Sequence, residues 1–379
     1  MEICANPGCD QPGTNKCSGC KVTHYCGPIC QKEHWVIHKE SCDGRLRKMG
    51  MDHLNKAKGF HREQNNWPQA LHHSDIAATK LMQLKDRPLE AISKALDIKV
   101  TALGFLGRHR EQMDCAKKWY TLWNTKPTDM GAIRAAFALI ESCIQNNEFE
   151  DAKLYASTLL GIINHQYDNK IPEDQRQRYI AEGSYYLAAA TLRLAQAGGI
   201  PPEQKQRAGH DAIAGARKAL EIHTQLYGTE HERVANDMSV LAEALDFFND
   251  VDDDDEVLRL FQRAIDIYRG VYGNSTVNVA VVEGKLGDAY QRRAKRAAAV
   301  CDVERYATNL ELALPRYLEA IRIFRALNRE DNAGYFVQHA AKVELYLRQL
   351  ATSRASANIA EQMQEIATAM AEAEASRKG

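Results

Sequence analysis

The N-terminal stretch from Cys4 to Cys42 reads CANPGCDQPGTNKCSGCKVTHYCGPICQKEHWVIHKESC. Seven cysteines and one histidine of this stretch form four successive pairs, spaced C-x4-C, C-x2-C, C-x3-C and H-x3-C. Thiolate sulfur and imidazole nitrogen are the ligands that zinc prefers, and a tetrahedral zinc ion takes four of them. Eight ligands therefore predict two zinc ions. The predicted ligands are Cys4, Cys9, Cys17, Cys20, Cys26, Cys30, His38 and Cys42.

His34 is the alternative to His38 as the histidine ligand. His34 lies eight residues before Cys42 and His38 lies four residues before it, and the H-x3-C spacing favours His38. Cys26 and Cys30 are also four residues apart, so we expect each of the last two pairs to share one face of a helix. With four protein ligands, neither site has a position for a catalytic water, and both zinc ions are predicted to be structural.

The stretch has too few large apolar side chains to fold by itself, because a segment of about forty residues buries little apolar surface. Metal coordination must supply the missing free energy, which is about 10–16 kcal/mol for a structural zinc in peptides. The apolar side chains are Ile3, Val22, Tyr25, Ile29, Trp35, Val36 and Ile37.

The order of the ligand pairs resembles the MYND zinc finger. Three other residues extend the resemblance: Tyr25 before the fifth ligand, Gln31 after the sixth, and Trp35 three residues before His38. The first loop, with four residues between the cysteines, is longer than the usual two. The resemblance implies that the first pair binds with the third and the second with the fourth. Site one would then hold Cys4, Cys9, Cys26 and Cys30, and site two Cys17, Cys20, His38 and Cys42.

MYND fingers resemble one another in docking short proline-containing peptides. The resemblance implies that Gln31 and Trp35 help to form the docking groove. The flat apolar face and the N–H of an indole suit a proline-rich ligand. The alternative is that Trp35 only packs the small core of the finger.

Charge and cysteine usage restrict the environment of the protein. The chain has 379 residues, 49 of them basic and 50 acidic, and a formal net charge of −1. This balance gives no electrostatic reason to expect binding to nucleic acid or to an anionic membrane. Seven of the ten cysteines lie before residue 43, and no secretory signal is visible. Clustered thiols of this kind indicate a metal site in a reducing compartment, so we expect the cytosol or the nucleus.

The rest of the chain has a helical pattern. Residues 43–66 are predicted to be a helical linker that leaves the finger and leans on the next domain. Within 67–352, apolar residues recur with a period of about 3.6 between breaks at Gly, Pro, Asn and Asp. The tail, 353–379, is predicted to be a capping helix with a frayed end. The twelve helices predicted in 67–352 are 69–83, 87–104, 109–123, 128–146, 149–165, 173–196, 202–226, 230–248, 253–271, 276–298, 302–327 and 331–350.

An internal repeat decides the fold of this region. Eight residues between Ala219 and Ala244 recur 45 residues later, between Ala264 and Ala289. Small alanines let two helices approach closely, and the Tyr-Gly pair at the turn ends a helix. The pattern resembles tetratricopeptide repeats in the longer form found in kinesin light chains. The resemblance implies an all-α, right-handed helical solenoid whose groove binds helical or extended peptides of partner proteins. The alternative is a solenoid that acts only as a rigid spacer.

Two classes of function follow. A zinc finger joined to helical repeats predicts a non-catalytic adaptor or scaffold that binds proteins through both modules. The alternative is an enzyme, because MYND fingers also occur inside SET-domain lysine methyltransferases. Those enzymes place sheet-rich sequence on both sides of the finger, whereas this finger begins at residue 4 and is followed by helical sequence. The adaptor is therefore the favoured hypothesis.

Nucleic-acid binding through the finger is not expected. The ligand spacing differs from that of a base-reading zinc finger, and the net charge is close to zero. As a whole, the chain resembles the MYND–tetratricopeptide proteins of microbial eukaryotes such as diatoms. That resemblance supports the adaptor hypothesis without identifying a pathway.

Overall fold

The structure is a computed structural model that describes residues 2–62, 66–123, 130–166, 171–248 and 254–354. Within these ranges the chain forms fourteen helices and one small two-stranded sheet. This content confirms the predicted all-α class. The predicted capping helix lies outside the described residues from residue 355 onward. None of the helices in the described part is both long and apolar enough to cross a lipid bilayer.

The first forty-two residues contain the only strands of the described ranges. Strand β1, Asn15–Lys16, pairs antiparallel with β2, His24–Tyr25, and helix α1, Pro28–His38, follows. Helix α2, Asp43–Arg62, leaves the finger. The remaining helices are α3 Trp67–Met82, α4 Leu89–Phe105, α5 His109–Leu122, α6 Met130–Gln145, α7 Phe149–Gln166, α8 Glu173–Gln196, α9 Pro202–Tyr227, α10 Glu232–Phe248, α11 Asp254–Tyr272, α12 Val277–Ala299, α13 Val303–Ala326 and α14 Glu330–Arg354.

Each of the twelve helices predicted from the apolar period corresponds to one of the helices α3 to α14. The predicted linker helix is α2, which packs against α3 and α4. Its buried residues include Leu46 and Leu54, which lie on one face at helical spacing. Helix α2 therefore packs on the helices that follow it.

The chain divides into two compact units, and the boundary along the sequence falls within α7: one unit extends to Ile162 and the other begins at Ile163. Consecutive helices pack on one another from α2 to α6 in the first unit and from α8 to α14 in the second. The even-numbered helices also contact the next even-numbered helix: α2 with α4 and α4 with α6 in the first unit, α8 with α10 and α10 with α12 in the second. This pattern of stacked helix pairs is that of a tetratricopeptide-like helical repeat. We call α8, α10 and α12 the even-helix layer of the second unit.

The residues that repeat at an offset of 45 occupy equivalent places in the second unit. Val234 and Val279, near the starts of α10 and α12, are both fully buried. Gly228 and Gly273 end α9 and α11 with φ of +80° and +86°, a region that favours glycine. The amide N–H of each glycine donates to a carbonyl four residues earlier, which closes the last helical turn. The sequence repeat is therefore a structural repeat of one helix pair.

Glycines on α12 allow its neighbours to approach its backbone. A Cβ atom added at Gly284 would lie 2.1 Å from Cε1 of Phe336 on α14. At Gly287 the nearest atom would be Cε1 of Tyr317 on α13, at 2.8 Å. Both aromatic rings are buried. Their position against the α12 backbone therefore depends on the absence of a side chain at these two sites.

We predict that Gly284→Ala lowers the free energy of unfolding, because the Phe336 ring must move and overpacking costs about 1–3 kcal/mol. The matched control is Gly270→Ala in α11, where no atom lies within 4 Å of the added Cβ. The control is expected to be neutral or stabilising by up to about 1 kcal/mol, since alanine has the higher helix propensity. Urea denaturation followed by far-UV circular dichroism measures both. Equal midpoints for the two variants would contradict the close approach.

Candidate metal centre

The eight predicted ligands gather into two groups of four. Within each group, the ligand atoms all lie within 4.8 Å of one another. The groups interleave along the chain, as the MYND resemblance implies. One group is Cys4, Cys9, Cys26 and Cys30, and the other is Cys17, Cys20, His38 and Cys42.

The distances between ligand atoms fit zinc coordination. The Sγ atoms of Cys9 and Cys26 are 3.7 Å apart, and those of Cys26 and Cys30 are 3.4 Å apart. In the second group, Sγ of Cys20 lies 3.5 Å from Nε2 of His38. Sulfurs that share a tetrahedral zinc at ~2.3 Å are separated by about 3.8 Å, whereas a disulfide brings them to about 2.0 Å. The donor sets, one with four cysteines and one with three cysteines and a histidine, are therefore compatible with two structural zinc ions.

The first group is built on a tight backbone loop. The N–H of Cys9 donates to the carbonyl of Asn6 at 3.1 Å, and Gly8 adopts a φ of +82° in this turn. Burial raises the pKa of the Cys4 thiol, but backbone hydrogen bonds from Asn6 and Cys26 lower it to about 7. These amides favour the thiolate, which is the form that binds metal.

Crowding has the opposite effect at Cys26. Hydrogen bonds with the sulfurs of Cys30 and Cys9, together with burial, raise the pKa of Cys26 to about 12. Three thiols that share one small space cannot all ionise without a cation between them. A zinc ion supplies that charge, so metal binding releases protons from this group.

The structure corrects the prediction that each of the last two ligand pairs shares a helix face. Helix α1 begins at Pro28, so Cys26 precedes the helix and only Cys30 lies on it. At the other end, α1 includes His38 and ends there, and Cys42 lies just before α2. The signal was present in the sequence, because proline is favoured in the first turn of a helix and Pro28 therefore marks its start.

Two glycines shape the second group: Gly19, in the predicted turn between Cys17 and Cys20, and Gly44, which the sequence reasoning missed. A Cβ atom added at Gly19 would lie 3.1 Å from Sγ of Cys42. A Cβ at Gly44 would lie 1.9 Å from the carbonyl oxygen of Gly19. The start of α2 therefore passes directly over the turn between Cys17 and Cys20. This backbone contact brings Cys42 to the other three ligands.

Thr23, in the loop after Cys20, contacts two ligands of the second group. The N–H of Cys17 donates to the carbonyl of Thr23 at 2.7 Å. The Sγ of Cys20 and the Oγ1 of Thr23 are 3.6 Å apart. Burial raises the pKa of Cys20, but hydrogen bonds from the backbone and hydroxyl of Thr23 lower it to about 6. This thiol is therefore ready to bind metal near neutral pH.

His34 lies beside the second group and is not one of its four ligands. Its Nδ1 is 3.1 Å from the phenolic oxygen of Tyr25, and its ring stacks on His38. Burial, and then the neighbouring His38, lower the pKa of His34, which keeps the ring neutral. His34 therefore positions Tyr25 and the His38 ring.

The core of the finger consists almost entirely of ligands. The buried residues of this cluster are Cys4, Cys17, Tyr25 and Cys42. Of the seven large apolar residues in the segment, Tyr25 alone is buried, and the other six are exposed. Metal–ligand bonds must therefore supply most of the free energy that holds the finger in this conformation.

Gln31 and Trp35, the predicted peptide-docking residues, lie one turn apart on α1. Gln31 is half-buried. The Trp35 side chain is 37% exposed, and one edge of its ring contacts His38 at a centroid distance of 5.9 Å. Trp35 therefore both packs on a zinc ligand and presents part of its ring to solvent.

Metal analysis of single-histidine variants tests the ligand assignment. The wild-type chain is expected to bind two zinc ions, and His38→Ala is expected to lose the zinc of the second group. His34→Ala is the matched control and should keep both zinc ions, because the ring of His34 hydrogen-bonds to Tyr25 and does not bind metal. Mass spectrometry of the purified proteins gives the zinc content. Loss of zinc from His34→Ala together with retention by His38→Ala would reverse the assignment.

Removal of zinc is expected to unfold the finger and leave the helical body folded. Of the fourteen helices in the described ranges, only α1, with 11 residues, belongs to the finger. Addition of a strong chelator should therefore remove little of the far-UV circular dichroism signal. Acidification should act in the same direction, because the ligands must be deprotonated to bind and zinc affinity falls as pH falls. A collapse of the whole helical signal on chelation would contradict independent stability of the two parts.

Comparisons with known proteins identify the N-terminal part. Residues 4–42 match the family described as the MYND finger. The chain is 26% identical over 96 residues to Tudor domain-containing protein 1 of Danio rerio, which covers 25% of this chain and 8% of that protein. It is 47% identical over 32 residues to histone-lysine N-methyltransferase ASHR1 of Arabidopsis thaliana, which covers 8% of this chain and 7% of that protein. The chain thus spans less than a tenth of the length of these curated relatives.

Two solved structures resemble this chain distantly. A crystal structure of a Rap protein complexed with competence and sporulation factor covers 81% of this chain and 76% of its own, at 12% identity and a TM-score of 0.45. The crystal structure of BtubC from P. vanneervenii covers 63% and 92%, at 14% identity and a TM-score of 0.37. Residues 4–42 are a MYND zinc finger, and a body of stacked helix pairs follows it.

Proposed function

We propose that this chain is a non-catalytic adaptor that binds one partner protein through its zinc finger and another through its helical repeats. The observation that carries the proposal is the exposed part of Trp35, one helical turn from Gln31, on a finger in which each metal position has four protein ligands. Both zinc sites have four protein ligands, so neither offers a position for a substrate or a water. What the finger presents to other molecules is its surface.

The finger surface carries several exposed large apolar side chains. Ile29, Val36 and Ile37 on α1 are exposed beside Trp35, as are Ile3 and Val22 on the preceding loops. Exposed apolar side chains on a rigid module favour contact with another protein. A flat indole face beside an amide suits a proline-containing segment, because the polyproline II conformation is extended and preformed.

The helical body supports the second half of the proposal. Stacked helix pairs form continuous surfaces on which partner segments bind, and helical repeats generally bind proteins. In the second unit the even-numbered helices lie closer to one another than the odd-numbered ones, since α8, α10 and α12 contact in series. In a curved stack of helix pairs, the layer whose helices lie closer together is on the concave side. A groove on this layer is therefore the expected docking surface.

A lysine methyltransferase is the second candidate function. The similarity to ASHR1 favours this function, but that match covers only the finger. Beyond the finger, the described ranges contain helices and no strand. SET domains are sheet-rich, so the similarity supports a shared finger and not a shared reaction. A methyltransferase assay with histone and non-histone substrates, giving activity above background, would overturn the adaptor proposal.

The cytosol or the nucleus is the proposed location. Seven cysteines of the finger must stay reduced to bind zinc, and both compartments keep thiols reduced.

An array of proline-containing peptides, probed with the zinc-loaded full chain, tests the finger surface. Trp35→Ala is expected to weaken binding by about tenfold or more, because aromatic anchors dominate such contacts. The matched control is Leu312→Ala on α13, an apolar side chain of similar exposure outside the finger. Both variants must retain two zinc ions. Equal binding by wild type and Trp35→Ala would show that Trp35 only packs the finger.

A further inference from the structure

The even-helix layer of the second unit contains a cavity of about 320 Å³. It lies among α8, α10, α12 and α14. Its lining combines charged side chains, including Arg193, Lys285 and Arg292, with the aromatic rings of Tyr335 and Phe336. A site of this size accommodates one or two side chains of a ligand.

The charges in the cavity are arranged in two levels. The two carboxylates of the lining are the less exposed groups, since the side chains of Glu243 and Asp288 are 7% and 20% exposed. Cations lie above them, since the side chains of Arg193 and Arg292 are 36% and 42% exposed. A molecule that enters the cavity therefore meets guanidinium groups before it meets carboxylates.

The buried carboxylates hold the guanidinium groups in place. Nη1 of Arg193 lies 3.1 Å from Oε2 of Glu243, which also pairs with Lys285. Burial would raise the pKa of Glu243, but Lys285 and Arg193 lower it, so this carboxylate stays charged. Nε of Arg292 donates to Oδ2 of Asp246 at 2.6 Å, and Nη2 donates to the same oxygen.

Nη1 of Arg193 also donates to Oε1 of Gln196 at 2.8 Å, whereas Arg292 keeps part of its guanidinium available. A guanidinium has five N–H donors, and Asp246 accepts only from the Nε and Nη2 edge of Arg292. The Nη1 edge remains for a second acceptor. Because the side chain is already fixed by Asp246, little conformational entropy is lost when an anion binds there.

We propose that this cavity binds a side-chain carboxylate of an acidic segment in a partner protein, between Arg193 and Arg292. The argument for this occupant is charge complementarity at the accessible level, and it rests on the proposed docking function of the repeats. Tyr335 and Phe336 form an aromatic wall of the same cavity. An apolar residue next to the acidic one packs on this wall, so the preferred segment alternates acidic and apolar side chains.

Fluorescence anisotropy with the zinc-loaded full chain tests the proposal. The probe is a fluorescein-labelled peptide of alternating glutamate and leucine, compared with peptides that carry glutamine or lysine instead of glutamate. The glutamate peptide is expected to bind about tenfold more tightly than the glutamine peptide, and its affinity should fall as salt is raised. Arg193→Gln is the primary variant, because Lys285 still pairs with Glu243 after the change. It should weaken binding of the glutamate peptide by about fivefold or more.

Two further variants separate binding from folding. Arg292→Lys keeps a cation beside buried Asp246 but loses the planar fork, and it should also weaken binding. Arg322→Gln is the matched control on α13, where the side chain is exposed and pairs with Glu319 of its own helix. It should bind as wild type does. Thermal unfolding of all variants confirms that the second unit stays folded.

The outcomes distinguish this inference from the proposed function. If glutamine and lysine peptides bind as tightly as the glutamate peptide, the repeats dock peptides but the carboxylate site is overturned. If no peptide binds, the carboxylate site is overturned and groove docking loses its support, while the finger result still stands. Displacement of the glutamate peptide by millimolar inorganic phosphate would show a general anion site and would also overturn the proposal.

Discussion

Close contact between helices at small residues is the constraint on which the helical body depends. Ala219, Ala264 and Ala320 occupy corresponding places in three successive helix pairs, and all three are fully buried. A larger side chain at these places would separate the helices and lose the dispersion contacts of their neighbours. Glycines extend the same constraint on α12, where Phe336 and Tyr317 lie against the backbone. The regular spacing of the pairs follows, because each crossing is set by the same small residue.

Ion pairs join neighbouring helices at this regular spacing. Arg193 on α8 reaches Glu243 on α10, and Asp246 on α10 reaches Arg292 on α12. Each contact joins neighbouring helices of the even-helix layer, so it fixes how one pair sits on the next. Buried carboxylates are costly unless they are paired, and here each has a cation from the adjacent pair. The cavity lies among these contacts, and its charge pattern is a consequence of how the repeats are joined.

The sequence predicts those features that depend on nearby residues. Helix positions follow from the apolar period, and the ends of α9 and α11 follow from Gly228 and Gly273, because both are local effects. The zinc ligands follow from residue type and spacing. The place of Cys26 outside α1 was missed because the four-residue spacing was given more weight than Pro28.

Features that depend on packing were not predicted. The approach of Gly44 to Gly19 joins residues from separate elements, and no periodic pattern marks it. The lining of the cavity was also missed, since Arg193 and Glu243 are 50 residues apart and Arg292 and Asp246 are 46 apart. These separations are close to the repeat length of 45, so pairing opposite charges at about one repeat length is a signal that would have found them.

The finger is held by metal–ligand bonds instead of a hydrophobic core, and its surface is more apolar as a result. A module of about forty residues that relied on a hydrophobic core would have to bury nearly all its large apolar side chains. Here four ligand atoms around each of two metal positions fix the backbone, and Ile29, Trp35 and Val36 stay at the surface of α1. Zinc therefore does more than stabilise the fold. Because the metal replaces the core, the apolar side chains that would have formed it are free to contact another protein.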